Sequence, residues 1–248
     1  MKVKNRLLNF GDNIIYQDDD CFLFSLDSML LANFVTIRLS DKKIIDFCSG
    51  NAPVPMLLSF RTKARLFGVE LQEYIYKMGL DSIVENGMDK QITFINDDIN
   101  NIKNHFNADT FDVVTCNPPY FKYKSDSLIN INDKKTIARH EVTLKLNDVI
   151  VNTKYLLRTG GIFAMIHRPE RLIEIINIMQ QNNIEPKRLR MVYPKIGKEA
   201  NMILIEGIKN GKSGLKIEKP LIVYDNNNKY VEEVRKMFGG NENVAEKL

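Results

Sequence analysis

Short apolar runs with the composition of buried strands recur along this chain, separated by stretches with helical spacing, and this alternation constrains the fold more than any other feature. KKIIDFC, ARLFGVE, QITFIND, FDVVTC and GGIFAMIH read as strands. Between them Pro53–Phe60, Gln72–Asn86, Ile99–His105, Leu146–Leu157 and Glu170–Asn182 read as helices. Strands that alternate with helices form a mostly parallel sheet covered on both faces, which is why their apolar runs are nearly continuous. KRLRMVYP and NMILIEGI follow one another with no helix between and predict a closing antiparallel hairpin at the sheet edge. Ahead of the alternation, DNIIYQ and CFLFS read as short strands and Asp27–Leu39 as a helix. Residues 1–40 are expected to form a strand and helix extension packed on a main domain of residues 41–238. A surface helix over YVEEVRKMF and a flexible tail, 239–248, close the chain.

At 248 residues the chain can bury a sizeable core, and 44% hydrophobic with 27% charged residues is ordinary for a globular protein. No apolar run is long enough for a membrane span, and MKVKNRLLNFGDN lacks the apolar segment of a secretion signal, so a cytoplasmic protein with no membrane partner is expected. Cys21, Cys48 and Cys116 are isolated and odd in number, which fits reduced thiols rather than a disulfide framework. His140 and His167 lack a cysteine or carboxylate at ligand spacing, so no metal is expected. A net charge of +4 permits a nucleic-acid partner without requiring one. Oligomeric state is not encoded in any of these features, and a monomer is the default expectation.

Open parallel sheets bind ligands beyond the carboxyl ends of their strands. The first such end is Asp46-Phe-Cys-Ser49-Gly50-Asn51-Ala-Pro53, a small-residue loop entering a helix. Gly50 allows a tight turn and Pro53 suits a first helical turn. The second, Gly68-Val-Glu70, places a carboxylate 20 residues after Gly50, where a ribose diol is gripped in such folds; helix capping is the alternative. The third, Asn96-Asp97-Asp98, offers an acceptor for an exocyclic amine or an N-cap. The fourth is Asn117-Pro118-Pro119-Tyr120, where two prolines must end the strand. Together the four describe a pocket for an adenosine-bearing cofactor. A phosphate cradle with glycines and a lysine is missing, so a cofactor with ribose and adenine but no pyrophosphate fits, and S-adenosyl-L-methionine is such a molecule.

The order DFCSG, GVE, NDD, NPPY resembles the class I S-adenosylmethionine-dependent methyltransferases. CNPPYFK, TIARHE, MIHRPERL, EPKRLRMVYPKIGKEANMILIEGIK and PLIVYD are similar, more narrowly, to the bacterial tRNA1(Val) adenine-37 N6-methyltransferases, in the small-domain methyltransferase group. The resemblance implies an α/β, Rossmann-like fold with a seven-stranded sheet ending in an antiparallel hairpin. It implies that Asp46, Ser49, Gly50 and Asn51 line the methionine side of the cofactor, that Glu70 binds the ribose, that Asp98 (or Asp97) meets the adenine, and that Asp27 closes over the site. One departure is Ala52, where the family often has a second glycine.

The N6 of adenine is a poor nucleophile because its lone pair is delocalised. Acceptors at the Asn117 side-chain oxygen and the Pro118 carbonyl would steer the amine toward tetrahedral geometry and stabilise the charge developing on it. Pro119 stiffens the corner and Tyr120 offers a stacking face. Phe121 and Tyr123 are lid aromatics or local core. Lys122, Lys124, Arg139, His140, Arg168 and Arg171 track RNA phosphates or form a solvated surface. Lys187, Arg188, Arg190, Lys195 and Lys198 are the densest basic stretch and the preferred RNA track. Exocyclic chemistry needs the base out of its stack, which is least costly in a single-stranded loop such as an anticodon loop. The motif also tolerates another planar amine, such as a guanine N2 of rRNA or a protein glutamine, and a non-catalytic RNA-binding protein is the third reading.

Overall fold

The computed structural model describes residues 2–7, 11–18, 26–118 and 144–239. Its main sheet is built on β3 (Lys43–Phe47), β4 (Arg65–Glu70), β5 (Ile92–Asn96), β6 (Phe111–Cys116) and β7 (Leu157–His167), all parallel. The closing strands β8 (Ile184–Tyr193) and β9 (Met202–Lys209) are antiparallel to each other, and β9 inserts between β7 and β8. The order is therefore β5-β4-β3-β6-β7-β9-β8, the expected seven strands. Two further pairings, β10 (Lys216–Ile217) and β11 (Leu221–Ile222), run parallel to β8 and cover its outer edge, giving this sheet nine strands among the described residues. Two-residue strands carry too little periodicity to be legible in sequence.

Helices α2 (Pro53–Ser59), α3 (Glu73–Glu85), α4 (Leu146–Leu156) and α5 (Leu172–Gln181) connect the strands, with a 3-10 turn at Ile99–Asn104. The pleat divides each strand between two cores. Ile44, Leu66, Val113, Ile162 and Ala164 face one, with α1 (Leu26–Phe34) and α2. Ile45, Val69, Val114, Phe163 and Met165 face the other, with α4 and α5. Sequence neighbours such as Ile44 and Ile45 thus lie on opposite faces, and the runs are apolar throughout because neither face meets water.

Some boundaries differ from the expected ones for visible reasons. Helix α1 stops at Phe34 rather than Leu39 because the Thr36 amide leaves the helix to donate to the buried Glu206 carboxylate at 2.7 Å. Strand β7 begins at Leu157, three residues before the GGIFAMIH run, across a register shift opposite Phe111 and Val113. Strand β1 (Lys2–Arg6) was not legible, since KVKNR has no apolar face of its own. It pairs with β2 (Ile14–Asp18), and the hairpin is held to α3 by Lys2–Asp81 and Lys4–Glu85 ion pairs and by a Tyr16 amide bond to Ser82 Oγ at 2.9 Å. A final helix, α6 (Glu232–Met237), buries Val234. The expected CFLFS strand and the tail from residue 240 lie outside the described residues. No helix among the described residues is long and apolar enough to cross a membrane.

One glycine sets how closely α3 approaches the sheet. A Cβ at Gly79 would lie 2.6 Å from Phe94 Cε1 and 3.0 Å from the Asn51 backbone. Alanine is ordinarily worth about 1 kcal/mol over glycine inside a helix. Here Gly79→Ala is expected to destabilise, by about 1–3 kcal/mol, because overpacking outweighs propensity. A urea midpoint at or above that of the unchanged protein would refute the tight-approach argument.

Candidate functional site

The carboxyl edge of the sheet gathers the predicted residues from four strand ends. After β3 the backbone turns through the left-handed region at alternate positions, with φ of 55° at Cys48, 56° at Gly50 and 68° at Ala52. Only the glycine adopts this without strain; each L-residue there carries about 1–2 kcal/mol. At Gly50 an added Cβ would meet nothing within 4 Å, so the crest of the loop faces open space. Ala52 is fully buried in that conformation and leads directly into Pro53 of α2.

The loop is fastened to β4. Ser49 Oγ donates to the Asp46 carbonyl at 2.8 Å and accepts from the Val69 amide at 3.2 Å. Gly68 makes room for it, since a Cβ there would fall 2.9 Å from Ser49 Oγ. Glu70 is buried, with Oε2 accepting from the Gly50 amide and Oε1 from the Gln72 amide, both at 2.9 Å. The Asp46 carboxyl is buried as well and accepts from Thr115 Oγ1 at 2.6 Å across the β3–β6 register. Burial pushes Asp46 up to about 7 against the opposing bonds from Thr115 and Ser49, and the nearby Glu70 adds to the rise. Burial likewise lifts Glu70 to about 7 against the amides of Gln72, Gly50 and Leu71. Asn51 is turned another way: it is buried, and its Nδ2 donates to the Tyr16 carbonyl at 2.8 Å, tying the loop to the N-terminal hairpin.

The structure separates the two aspartates after β5. Asp97 is engaged by its own turn, accepting from the Asp98 amide at 2.7 Å and Asn101 Nδ2 at 2.8 Å and pairing with His105 Nε2 at 2.7 Å. Those bonds from Asn101 and His105 hold its carboxyl below the usual range. Asp98 caps the 3-10 turn through Oδ1, which accepts from the Asn100 amide at 2.8 Å. Beyond β6, Asn117 is partly buried with its Nδ2 directed at Ser28 Oγ, 3.5 Å away on α1. Asp27 precedes Ser28 in the first turn of that helix. Pro118 follows, buried. Pro119, Tyr120, Phe121, Lys122, Arg139 and His140 lie outside the described residues.

Of the basic candidates, Arg168 donates to the Asn201 carbonyl at 3.0 Å. Arg188 is held by Glu206 and Glu218, and Arg190 by Glu233 at 2.7 Å, so these members of the expected RNA track are engaged internally. Lys195 and Lys198 stand on the turn between β8 and β9. Sequence reasoning missed Thr115 and Ser28. Both are short hydroxyl residues inside apolar runs, and only the strand register and the helix placement bring them to Asp46 and Asn117.

Strand order, the reversed β9 and polar groups collected at the carboxyl edge define the class I methyltransferase fold. A solved predicted O-methyltransferase from Agrobacterium tumefaciens superposes with a TM-score of 0.69 at 20% identity, covering 86% of this chain and 95% of that one. In sequence the chain is similar to bacterial proteins named tRNA1(Val) (adenine(37)-N6)-methyltransferase. That of Haemophilus influenzae (strain PittGG) is 26% identical over 232 residues, which is 90% of this chain and 92% of that protein. That of Bacteroides fragilis (ATCC 25285) is 23% identical over 196 residues, 79% and 81%. No protein-family model matches the chain.

The raised carboxyl groups give the ligand-free protein a definite pH signature. Asp46 and Glu70 bind protons in the fold that they release near pH 4 when unfolded. Their contribution to stability is full below about pH 4 and is lost as pH rises through about 7. Asp46→Asn and Glu70→Gln should each flatten the fall in urea midpoint between pH 5 and 8. An unchanged slope in both variants would refute the assignment.

Proposed function

We propose that this protein transfers a methyl group from S-adenosyl-L-methionine to the N6 of an adenosine in tRNA, at position 37 beside the anticodon. The observation that carries the reading is the placement of Asn117-Pro118 directly after β6, at the same sheet edge as the buried Asp46 and Glu70 carboxyls. The choice of RNA follows the names of the relatives, which are similar over most of their length.

The residues present fit the cofactor. The crest at Gly50 opens onto space that a side chain would fill. The Glu70 oxygens accept the Gly50 and Gln72 amides, with the Leu71 amide also contributing, and a carboxylate retains acceptor capacity for a ribose hydroxyl beyond these. Asp98, with Oδ1 used in capping, is favoured over Asp97 for the adenine amine, because Asp97 is engaged by Asn101 and His105. Asp46 and Ser49 fix the loop beside the methionine portion, with Asp27 at the start of α1 as a further wall. Asn51 supports the loop from the hairpin side.

S-adenosylmethionine supplies a sulfonium methyl group. The chain supplies geometry: the Asn117 side-chain oxygen and the Pro118 carbonyl accept the two N6 hydrogens and aim the nitrogen lone pair. Ser28, as acceptor for Asn117 Nδ2, orients the amide so that its oxygen is the end presented to substrate. Preorganised acceptors of this kind stabilise charge developing in the transition state. The methylated amine is acidic enough to release its proton to water, so no base is required. Pro119 is assigned the role of stiffening the corner and Tyr120 that of stacking on the base. Phe121, Lys122, Arg139, His140 and Arg168 are assigned to the RNA around it.

Purified protein is expected to methylate tRNA carrying an unmodified adenosine 37, with N6-methyladenosine identified by nucleoside mass spectrometry. Label found only on rRNA or on protein would sink the substrate assignment and support the other planar amines. Asn117→Ala should retain cofactor binding and lose about 10²–10³-fold in kcat. Cofactor affinity should rise with pH through about 7 as Glu70 ionises, with proton release seen by calorimetry in buffers of different ionisation enthalpy. A pH-independent affinity would remove Glu70 from the ribose site.

A further inference from the structure

The turn joining β8 to β9 has a design that the sheet itself does not explain. Strand β8 is antiparallel to β9, which is antiparallel to β7, so β8 points the same way as β6 and β7. Its carboxyl end, and the turn that follows, therefore lie at the same edge as Asn117. Three strand spacings separate them, roughly 14 Å. The turn is Lys195-Ile196-Gly197-Lys198, closed by the Lys198 amide donating to the Lys195 carbonyl at 3.2 Å. Gly197 has φ of 76°, as the third position of a type II turn requires. The base of the turn is fixed on both sides. Arg168 reaches the Asn201 carbonyl at 3.0 Å, and the Val223 and Tyr224 amides donate to the Tyr193 and Pro194 carbonyls, each at 2.9 Å.

At the apex stands Ile196, 78% exposed. A branched apolar residue does nothing for this turn, whose second position favours proline. A lone exposed apolar residue is usually unremarkable. This one is presented by a braced turn, has a lysine directly before it and another two residues after it, and rises from the edge that holds the proposed reaction centre.

We infer that this turn is an RNA contact, in which Ile196 packs against an unstacked base of a single-stranded loop while Lys195 and Lys198 lie along its phosphates. The inference rests on the proposed RNA substrate. Loop bases are splayed and offer apolar faces, and aliphatic side chains are used elsewhere as wedges against base steps. Glu199, exposed beside Lys198, keeps the apex from being a purely cationic patch, so the apolar contact carries the selectivity for unstacked bases. A second copy of this chain is the competing occupant.

The test is direct binding of an anticodon stem-loop RNA by fluorescence anisotropy, with sedimentation of each variant. Ile196→Ser should weaken binding about tenfold with the salt dependence of Kd unchanged. Lys195→Gln and Lys198→Gln should each lower the log–log salt slope by about 0.7. Leu39→Ser, at a fully exposed leucine ahead of β3 on the opposite edge, should do neither. Binding by Ile196→Ser within twofold of the unchanged protein overturns the inference. So does an equal loss in Leu39→Ser, or a loss that tracks dissociation of a dimer. Because binding is read without methyl transfer, the two proposals fail separately. RNA binding sensitive to Ile196 without transfer overturns only the catalytic reading, and transfer indifferent to Ile196 overturns only this one.

Discussion

The buried carboxylate of Glu70 joins the parts of this site. One oxygen takes the Gly50 amide from the loop after β3, and the other takes the Gln72 amide at the head of α3. A single side chain thereby fixes the distance between two strand ends and the angle at which α3 leaves the sheet. Its neighbours depend on that arrangement. Ser49 can bridge Asp46 and Val69 only with the loop held in place, and Gly79 can approach Asn51 only with α3 at that angle. Leaving such a carboxyl buried is unfavourable, which is why burial raises it despite its amide partners. A ligand that hydrogen-bonds its ionised form recovers part of that free energy.

Catalysis is assigned to the same kind of construction one strand further on. Asn117 and Pro118 follow a wholly buried strand, so their positions are fixed by the core. Thr115, two residues before Asn117, bonds Asp46 on the adjacent strand and so registers Asn117 against the loop after β3. The residues proposed for the cofactor and those proposed for the amine therefore belong to one hydrogen-bonded β3–β6 pair.

Much of the fold was legible in sequence because fully buried parallel strands have distinctive runs and because polar residues break those runs at the strand ends. The strand assignments and the collection of Asp46, Glu70, Asp98 and Asn117 at one edge rested on those two facts. What escaped were relations between distant segments. KVKNR forms a strand only against β2 and α3, and Thr115 and Ser28 matter only through register and packing. Asn51 was legible as a loop residue, but its direction depends on Tyr16, 35 residues away. Arg188 and Arg190 read as a basic track because their partners Glu206, Glu218 and Glu233 are remote in sequence.

The left-handed turns at Cys48, Gly50 and Ala52 have a consequence for which molecules the pocket admits. Loops of this shape often gather amides into a concave anion trap. Here the amide of Ser49 is given to the Val69 carbonyl, that of Gly50 to Glu70 and that of Ala52 to the Ser49 carbonyl. With those donors satisfied internally, the loop offers an anion less than its shape suggests. The proposed cofactor needs no such trap, because its reactive end is a sulfonium cation and it carries no phosphate chain.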